Sequence, residues 1–414
     1  MDLSEDLQPA LNGRLFYGWV IVLCGAVVLG VTHGVVTNCY SLYIIPVSES
    51  LGVSRDAFSV CSLIVNALYA LISYISGAVA RKIPLKWTLR IAGLLLPASY
   101  FCYSFCASIE AFWAVSFLVG VSVSFLTFVP FTSVISNWFV EKRGTALGIC
   151  FMGSGLGGMV MNSLIARLLE RYGWQTAYRV TGAIMLAVLV ISLFFVIKVT
   201  PQEMGLRPLG AGTKADSEPL YGLTFRQALR TSSFFALILL TVAIGFISSM
   251  LSGVIAPHLV DSGYDTLFAA RIVTFYLGAL AVSKILLGRL YDRIGAIPST
   301  LISMMGFLIG LAGLYFCRSA PALPLIMVAS LGTAASNVSY PITTQYAFGT
   351  RDYATIYGFM MGTNFVFSSL GVYAANRLFT MTGSYQAALL LSAGIAVLAI
   401  LILPLIRPAN RGIG

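Results

Sequence analysis

The stretch LAVSKILLGRLYDRIG, residues 280–295, passes from an apolar run directly into a basic loop. Its first half is apolar except for Ser283 and Lys284. An apolar run that ends in a short basic loop is typical of a membrane-spanning helix whose end faces the cytoplasm. A lysine at the centre of such a helix costs roughly 2.5–3.5 kcal/mol. The stretch therefore indicates a membrane protein and suggests a functional role for Lys284.

The composition of the whole chain agrees with a membrane protein. The chain has 414 residues, of which 58% are hydrophobic and only 10% are charged, and the mean hydropathy is +0.90. So few charges cannot cover the surface of a soluble protein. Apolar runs recur along the chain, each near the roughly 20 residues that a transmembrane helix needs. We therefore expect an all-α membrane protein.

The apolar runs predict twelve transmembrane helices. We expect them at residues 16–44, 57–80, 88–107, 111–137, 144–169, 174–199, 233–259, 267–290, 297–317, 322–346, 354–379 and 385–406. The loops after the even-numbered spans carry most of the basic residues, among them Arg81, Lys82, Lys86, Lys142 and Arg143. By the positive-inside rule these loops, and with them both termini, are cytoplasmic.

A polar segment divides the chain into halves. Residues 200–232 are rich in Pro, Gly and charge, and they predict a cytoplasmic linker between domains 1–199 and 233–414. In this linker Arg226 and Arg230 lie one helical turn apart, which predicts an interfacial helix at the membrane surface.

The two halves match at a constant offset of 211 residues. The matched pairs, in chain order, include Pro46 and Pro257, Gly52 and Gly263, Gly77 and Gly288, Pro130 and Pro341, and Gln175 and Gln386. Several matches at one offset predict a duplicated six-helix unit. Because six is even, both units keep the same orientation in the membrane.

Two groups of motifs carry a family resemblance. GRLYDRIG (288–295) resembles the loop signature G-x-L-x-D-R-x-G of the major facilitator superfamily, which implies a gating role for Gly288, Asp292 and Arg293. Its counterpart GAVARKIP (77–84) has Arg81 in place of the aspartate. The second group is similar to the monocarboxylate transporter and oxalate–formate antiporter branch; it comprises NWFVEKRGTALGICFMGSGLGG (137–158), YGW (17–19), PQEMGLRP (201–208) and GWQTAY (173–178). The resemblance implies the major facilitator fold of two six-helix bundles that transport by alternating access.

Lys284 is the main candidate for substrate binding. It is the only basic residue well inside a predicted apolar run, and no Asp or Glu lies deep in any predicted span. A transported carboxylate in a water-filled cavity would supply the opposite charge. The alternative is that the lysine snorkels to the interface or donates to backbone carbonyls.

The resemblance sharpens the expected substrate. Lys284 falls where the family has a substrate-binding arginine, whereas Leu280 replaces the aspartate of the proton symporters. Asn364 replaces the second cation of the oxalate–formate antiporter. One cation favours a monoanion over a dianion. Transport is then either exchange or symport, in which Lys284 itself or His33 would carry the proton.

Other polar and aromatic residues are weaker candidates for lining the substrate cavity. These further substrate-binding candidates are Asn38, Tyr40, Asn66, Phe128, Tyr276, Asn337, Tyr340 and Asn364. Each could instead bond to or pack against a neighbouring helix.

The leading hypothesis is a secondary active transporter of a small lactate-, pyruvate- or formate-like organic anion. We expect a monomer in the plasma (inner) membrane of a prokaryote that needs no cofactor or metal, binds no nucleic acid, and takes protons as a possible second substrate. The alternatives are an efflux transporter for drugs or metabolites, a membrane-embedded enzyme, and a transport-dead sensor. The enzyme is disfavoured because the sequence has no HExxH motif, no Cys/His cluster and no P-loop.

Overall fold

The computed structural model describes residues 16–53, 55–210, 221–318 and 322–408. Both ends of the chain, which are predicted to be cytoplasmic, lie outside these residues. The described part is helical and contains no strand, only two isolated β-bridges. Its α-helices are α1 Tyr17–Val31, α2 Ser41–Leu51, α3 Arg55–Lys82, α4 Leu85–Tyr103, α5 Ile109–Ser124, α6 Phe128–Trp138, α7 Arg143–Val190, α8 Phe225–Ala228, α9 Ser232–Asp261, α10 Thr266–Ile294, α11 Ala296–Tyr315, α12 Leu323–Phe348, α13 Tyr353–Thr382 and α14 Gln386–Ile402.

Helices occupy the position of every predicted span. Within the described ranges, eight helical stretches are long and apolar enough to cross a bilayer. One of them, Arg143–Val196, covers two predicted spans, and the non-helical Gly173 separates its two helical parts. Gly173 interrupts the helical backbone with φ 77° and ψ 171°, which a glycine tolerates best. The chain is thus an all-helical membrane protein, and the count of twelve spans stays a prediction.

Two predicted spans are broken. In the first span, α1 is followed by a π-helical segment, Gly34–Asn38, and then by α2. The fourth span is interrupted at residues 125–127, between α5 and α6. Pro130 explains this second break, because proline lacks an N–H and its ring clashes with the carbonyl four residues earlier. The helix continues through the matched Pro341, which lies inside α12.

The chain forms two compact units, Met1–Ser217 and Glu218–Gly414. In the first unit α1 packs along α7, and in the second α9 packs along α13. The offset of 211 residues relates these two helix pairs, because Gly34 matches Gly245. Gly34 lies against the backbone of α7 and Gly245 against Asn364 of α13. The duplicated sequence therefore forms equivalent helix contacts in both units.

The two ends of the linker pair with corresponding loops. In the first unit the N–H of Val140 donates to the carbonyl of Leu209, at 2.9 Å, and Phe139 forms a β-bridge with Leu209. In the second unit Gly222 forms a β-bridge with Gly349 in the loop after α12. Each unit therefore holds its own end of the linker by backbone hydrogen bonds. The helical part of the predicted interfacial segment is the single turn α8.

Candidate functional site

In the first unit, two of the predicted site residues meet at the end of α1. The rings of His33 and Phe128 pack edge to face, with centroids 4.8 Å apart. His33 Nδ1 also lies 3.5 Å from the hydroxyl of Tyr69 in α3. The break before α6 places Phe128 at the start of that helix, beside His33. His33 is therefore held by an aromatic ring and a phenol.

Two other candidates of this unit, Asn38 and Tyr40, contact neighbouring helices, whereas Asn66 donates to Ser62 Oγ one turn earlier in α3. Asn38 is exposed, and its Nδ2 donates to the carbonyl of Ser154 in α7, at 3.2 Å. The Tyr40 hydroxyl donates to the carbonyl of Phe58 in α3, at 2.7 Å. Asn66 is half-buried and shares a cavity of about 50 Å³ with Tyr40. The structure thus brings Tyr40 and Asn66 to one cavity, whereas Asn38 bonds to α7.

In the second unit, Lys284 lies on the buried face of α10 and is only 5% exposed. Ten residues separate it from the end of α10 at Ile294, which is about 15 Å along the helix. That length is about half of a hydrocarbon core roughly 30 Å thick. By its position in the helix, Lys284 therefore lies at membrane depth. Leu280, one turn earlier, is half-buried.

Polar side chains on the same face of α10 bond to α12. The Tyr276 hydroxyl lies 2.6 Å from Oγ1 of Thr333, and Ser283 Oγ lies 2.7 Å from Oγ of Ser330. Each of these α12 residues lies in the row of buried small residues of that helix. Tyr276 is 1% exposed, so its hydroxyl is satisfied inside the unit. These bonds fix the α10 face that carries Lys284.

Asn364 and Tyr340, two predicted site residues, bond to each other. The Tyr340 hydroxyl donates to Asn364 Oδ1 at 3.0 Å, and it also lies 3.2 Å from the carbonyl of Thr241 in α9. Asn364 is 6% exposed and packs directly on Gly245. Asn337 lies one turn before Tyr340 in α12, where its Nδ2 donates to Ser336 Oγ at 3.2 Å. At the position where the resemblance expects a second cation, Asn364 thus places a neutral, hydrogen-bonded amide.

The loop motif follows Lys284 at the end of α10. Gly288 is buried, whereas Asp292 and Arg293 are exposed in the last turn. Gly295 ends the helix with φ +85°, a left-handed backbone conformation that favours glycine. The motif thus combines an exposed charged turn with a sharp exit from α10.

Three features were not predicted from the sequence. They are the bonds between α10 and α12, the backbone pairing of the linker, and the tyrosine cluster around the cavity of the first unit. The recurrence of tyrosine at Tyr40, Tyr43, Tyr100 and Tyr103 is a signal for the cluster. The other two features depend on backbone geometry and on single hydroxyls, which leave no sequence pattern.

An ion pair at the linker is the clearest charge contact outside the spans. Lys86 Nζ lies 2.6 Å from Oε2 of Glu203. Burial alone would raise the pKa of Glu203, but the hydrogen bonds from Lys86 and from the Val199 N–H, together with the lysine charge, lower it below its ordinary value. This pair ties the linker to the loop after the second predicted span.

Comparisons with known proteins agree with the predicted family and with transport. The family model described as Major Facilitator Superfamily matches residues 26–372. The oxalate:formate antiporter of Oxalobacter formigenes is 24% identical over 374 residues, which cover 87% of this chain and 84% of that protein. Human monocarboxylate transporter 12 is 22% identical over 403 residues, covering 91% of this chain and 77% of that protein.

A solved structure confirms the fold. The structure of the proton:xylose symporter XylE bound to 6-bromo-6-deoxy-D-glucose matches with a TM-score of 0.71 at 15% identity, covering 96% of both chains. The predictions of the superfamily and of a protein that is not an enzyme are confirmed. The chain is a multi-pass membrane transporter, and it belongs to the Major Facilitator Superfamily.

Proposed function

We propose that this chain is a secondary active transporter of a small monocarboxylate and that it works by alternating access. The burial of Lys284 carries the proposal. Lys284 is 5% exposed and about 15 Å from the end of its helix, so its charge costs free energy at membrane depth. Binding of a substrate anion there would explain why the chain carries it. Relatives named for oxalate, formate and monocarboxylates supply the substrate class.

The candidate residues of the second unit favour one charged contact with the substrate. Its helix face offers hydroxyls at Tyr276 and Ser283, which are engaged with α12. Asn364 offers a neutral amide held by Tyr340. A single ammonium matches a single carboxylate, and it lacks the planar fork with which arginine holds two oxygens. These features support a monoanion rather than a dianion.

The mode of coupling depends on which side chains in the spans can bind and release a proton. Lys284 and His33 are the proton-carrying candidates, and Leu280 provides no carboxylate. We propose either anion exchange or proton symport in which one of these two groups titrates. Asn38, Phe128, Tyr276, Asn337, Tyr340 and Asn364 are proposed to contact or shape the substrate site, whereas Tyr40 and Asn66 line the cavity of the first unit. Twelve spans, cytoplasmic termini and a prokaryotic plasma membrane complete the proposal.

Uptake of labelled lactate, pyruvate and formate into proteoliposomes tests the function. We expect uptake of at least one acid by the wild type and a loss of at least tenfold in Lys284→Ala, since one removed charge contact costs about 1.4 kcal/mol or more. Arg171→Ala, which removes an exposed basic residue outside every motif and candidate site, is the control and should transport normally. Normal uptake by Lys284→Ala would refute the carboxylate site.

The same vesicles separate the two coupling modes. An inwardly directed proton gradient should accelerate uptake in a symporter. Unlabelled substrate inside the vesicles should accelerate it in an exchanger. If neither gradient has an effect and no acid is taken up, the chain transports another class of compound.

A further inference from the structure

The cavity that Tyr40 and Asn66 share lies inside the first unit. It has a volume of about 50 Å³, and all of its lining residues belong to that unit. Thr37 is exposed and Asn66 half-buried at its polar edge. Its wall contains the tyrosines Tyr40, Tyr43, Tyr100, Tyr103 and Tyr178.

Two of these tyrosines have hydroxyls that the protein does not satisfy. Tyr100 and Tyr178 are 5% and 4% exposed, and among the described residues neither hydroxyl has a hydrogen-bond partner. Both hydroxyl oxygens keep some accessible surface, because neither belongs to the described polar atoms that are fully enclosed without a partner. Buried hydroxyls are almost always hydrogen-bonded. These two therefore need a partner that enters the cavity.

The other tyrosines of the wall are already engaged. The Tyr40 hydroxyl donates to a backbone carbonyl at 2.7 Å, that of Tyr43 lies 3.5 Å from Thr181, and that of Tyr103 lies 2.7 Å from Ser116. The cavity thus presents two specific free hydroxyls rather than a general polar surface.

We propose that this cavity binds a small neutral hydroxyl compound, such as a short diol or triol, through Tyr100 and Tyr178. The described lining contains no charged side chain. An anionic ligand would therefore find no cation in the wall, and a cationic ligand would find no carboxylate. Each phenol can both donate and accept a hydrogen bond, as the hydroxyls of the ligand can. The aromatic walls pack against the carbon skeleton of the ligand.

The ring contacts argue against an organic cation. Tyr43 and Tyr178 stack on each other with centroids 4.1 Å apart, and Tyr40 stacks on Phe58 at 5.5 Å. A cation needs an open ring face within about 6 Å. Each stack covers one face of both of its rings, which leaves fewer open faces for a cation and favours the hydroxyl groups as recognition elements of the wall.

The size of the cavity suits such a ligand. At roughly 10–15 Å³ per water position, about 50 Å³ accommodates some three to five waters. Those waters would occupy about 30 Å³ each in the liquid, so they correspond to a compound with about five or six heavy atoms. Propane-1,2-diol is therefore a suitable probe.

Saturation-transfer NMR on the purified full-length protein tests this site. Propane-1,2-diol should bind saturably, and binding should weaken at least tenfold in the double variant Tyr100→Phe/Tyr178→Phe. Tyr264→Phe is the matched control, because its hydroxyl donates to the carbonyl of Cys317 in the other unit. Propionate and tetramethylammonium serve as the anionic and cationic analogues, and both should fail to compete.

Several results would overturn the site. Absence of saturable diol binding would mean that only water fills the cavity. Unchanged binding by the double variant, or competition by either charged analogue, would also contradict the proposal. Thermal unfolding without ligand adds an independent check. Removing two unsatisfied hydroxyls should leave the unfolding temperature unchanged or higher, so a lower value would show that they have protein partners. No step of this test depends on carboxylate transport.

Discussion

The contact between α1 and α7 depends on glycines from the motif GSGLGG, residues 153–158. A Cβ added to Gly157 would lie 2.2 Å from the Cα of Gly30, and one added to Gly153 would lie 2.0 Å from the carbonyl oxygen of Ala26. In both cases the obstacle is backbone, which cannot turn aside as a flexible side chain can. We therefore predict that Gly157→Ala destabilises the first unit.

The magnitude follows from this geometry. Carbon atoms pack best about 3.5–4.0 Å apart, so α1 and α7 would have to separate by about 1.3–1.8 Å at Gly157. Overpacking of this kind typically costs about 1–3 kcal/mol. Alanine gains about 1 kcal/mol over glycine within a helix, which partly offsets the cost.

A variant in the same helix isolates the packing cost. Gly155 lies between the two contact glycines, and a Cβ added there meets nothing within 4 Å. Gly155→Ala therefore gains helix propensity without a clash. Thermal unfolding of both variants in the same detergent should place Gly157→Ala about 4–8 °C below Gly155→Ala for a difference of about 2 kcal/mol. Equal unfolding temperatures would refute the close-packing argument.

Three further predictions concern the linker and the second unit. Glu203→Gln should destabilise the protein slightly, by about 0.2–1 kcal/mol, because its ion pair with Lys86 is partly exposed. Since folding lowers the pKa of Glu203, this stabilisation is present above the ordinary glutamate pKa and is lost as the pH falls through the folded value. Tyr340→Phe should cost about 0.6–1.7 kcal/mol, because it removes the donor to Asn364. Gly349→Ala should detach the linker end. Gly349 has φ +76°, and the added Cβ would lie 2.4 Å from the carbonyl oxygen of Tyr221 in the linker.

Thermal unfolding between about pH 3 and pH 7 checks the first of these, with Glu170→Gln at an exposed position as the control. A difference between Glu203→Gln and wild type that grows as the pH falls would contradict the predicted sign. Tyr373→Phe, at a residue 68% exposed, is the control for Tyr340→Phe and should be neutral. Limited proteolysis checks Gly349→Ala, and an unchanged rate of linker cleavage would contradict the prediction.

The helical fold and its duplication could be predicted because they depend on long, regular patterns. Apolar length, loop charge and the matched Pro46 and Pro257 recur over many residues, so no single position decides the outcome. Gly153 and Gly157 stand four residues apart in the sequence, a spacing of small residues that favours close packing of a membrane helix. Pro130 predicts a kink in the fourth span, but whether proline produces a kink or the break seen at residues 125–127 depends on the neighbouring helices.

The site could be predicted only at the level of residue types. Burial of Lys284 within α10 followed from the apolar run around it. The hydrogen-bond partners of Tyr276 and Tyr340 could not be predicted, because a buried hydroxyl can bond to any nearby helix and the sequence contains no distances. The unsatisfied Tyr100 and Tyr178 emerge only when every hydrogen bond around them is known.

The central claim is that the charge of Lys284 binds the charge of a carboxylate. Calorimetric titration of wild type and Lys284→Met with a transported acid and with its uncharged amide tests that claim directly. Wild type should bind the acid at least tenfold more tightly than the amide, and in Lys284→Met the two should bind equally within about twofold, since tenfold is about 1.4 kcal/mol. If Lys284→Met keeps the full preference for the acid, another group binds the carboxylate and the account is wrong.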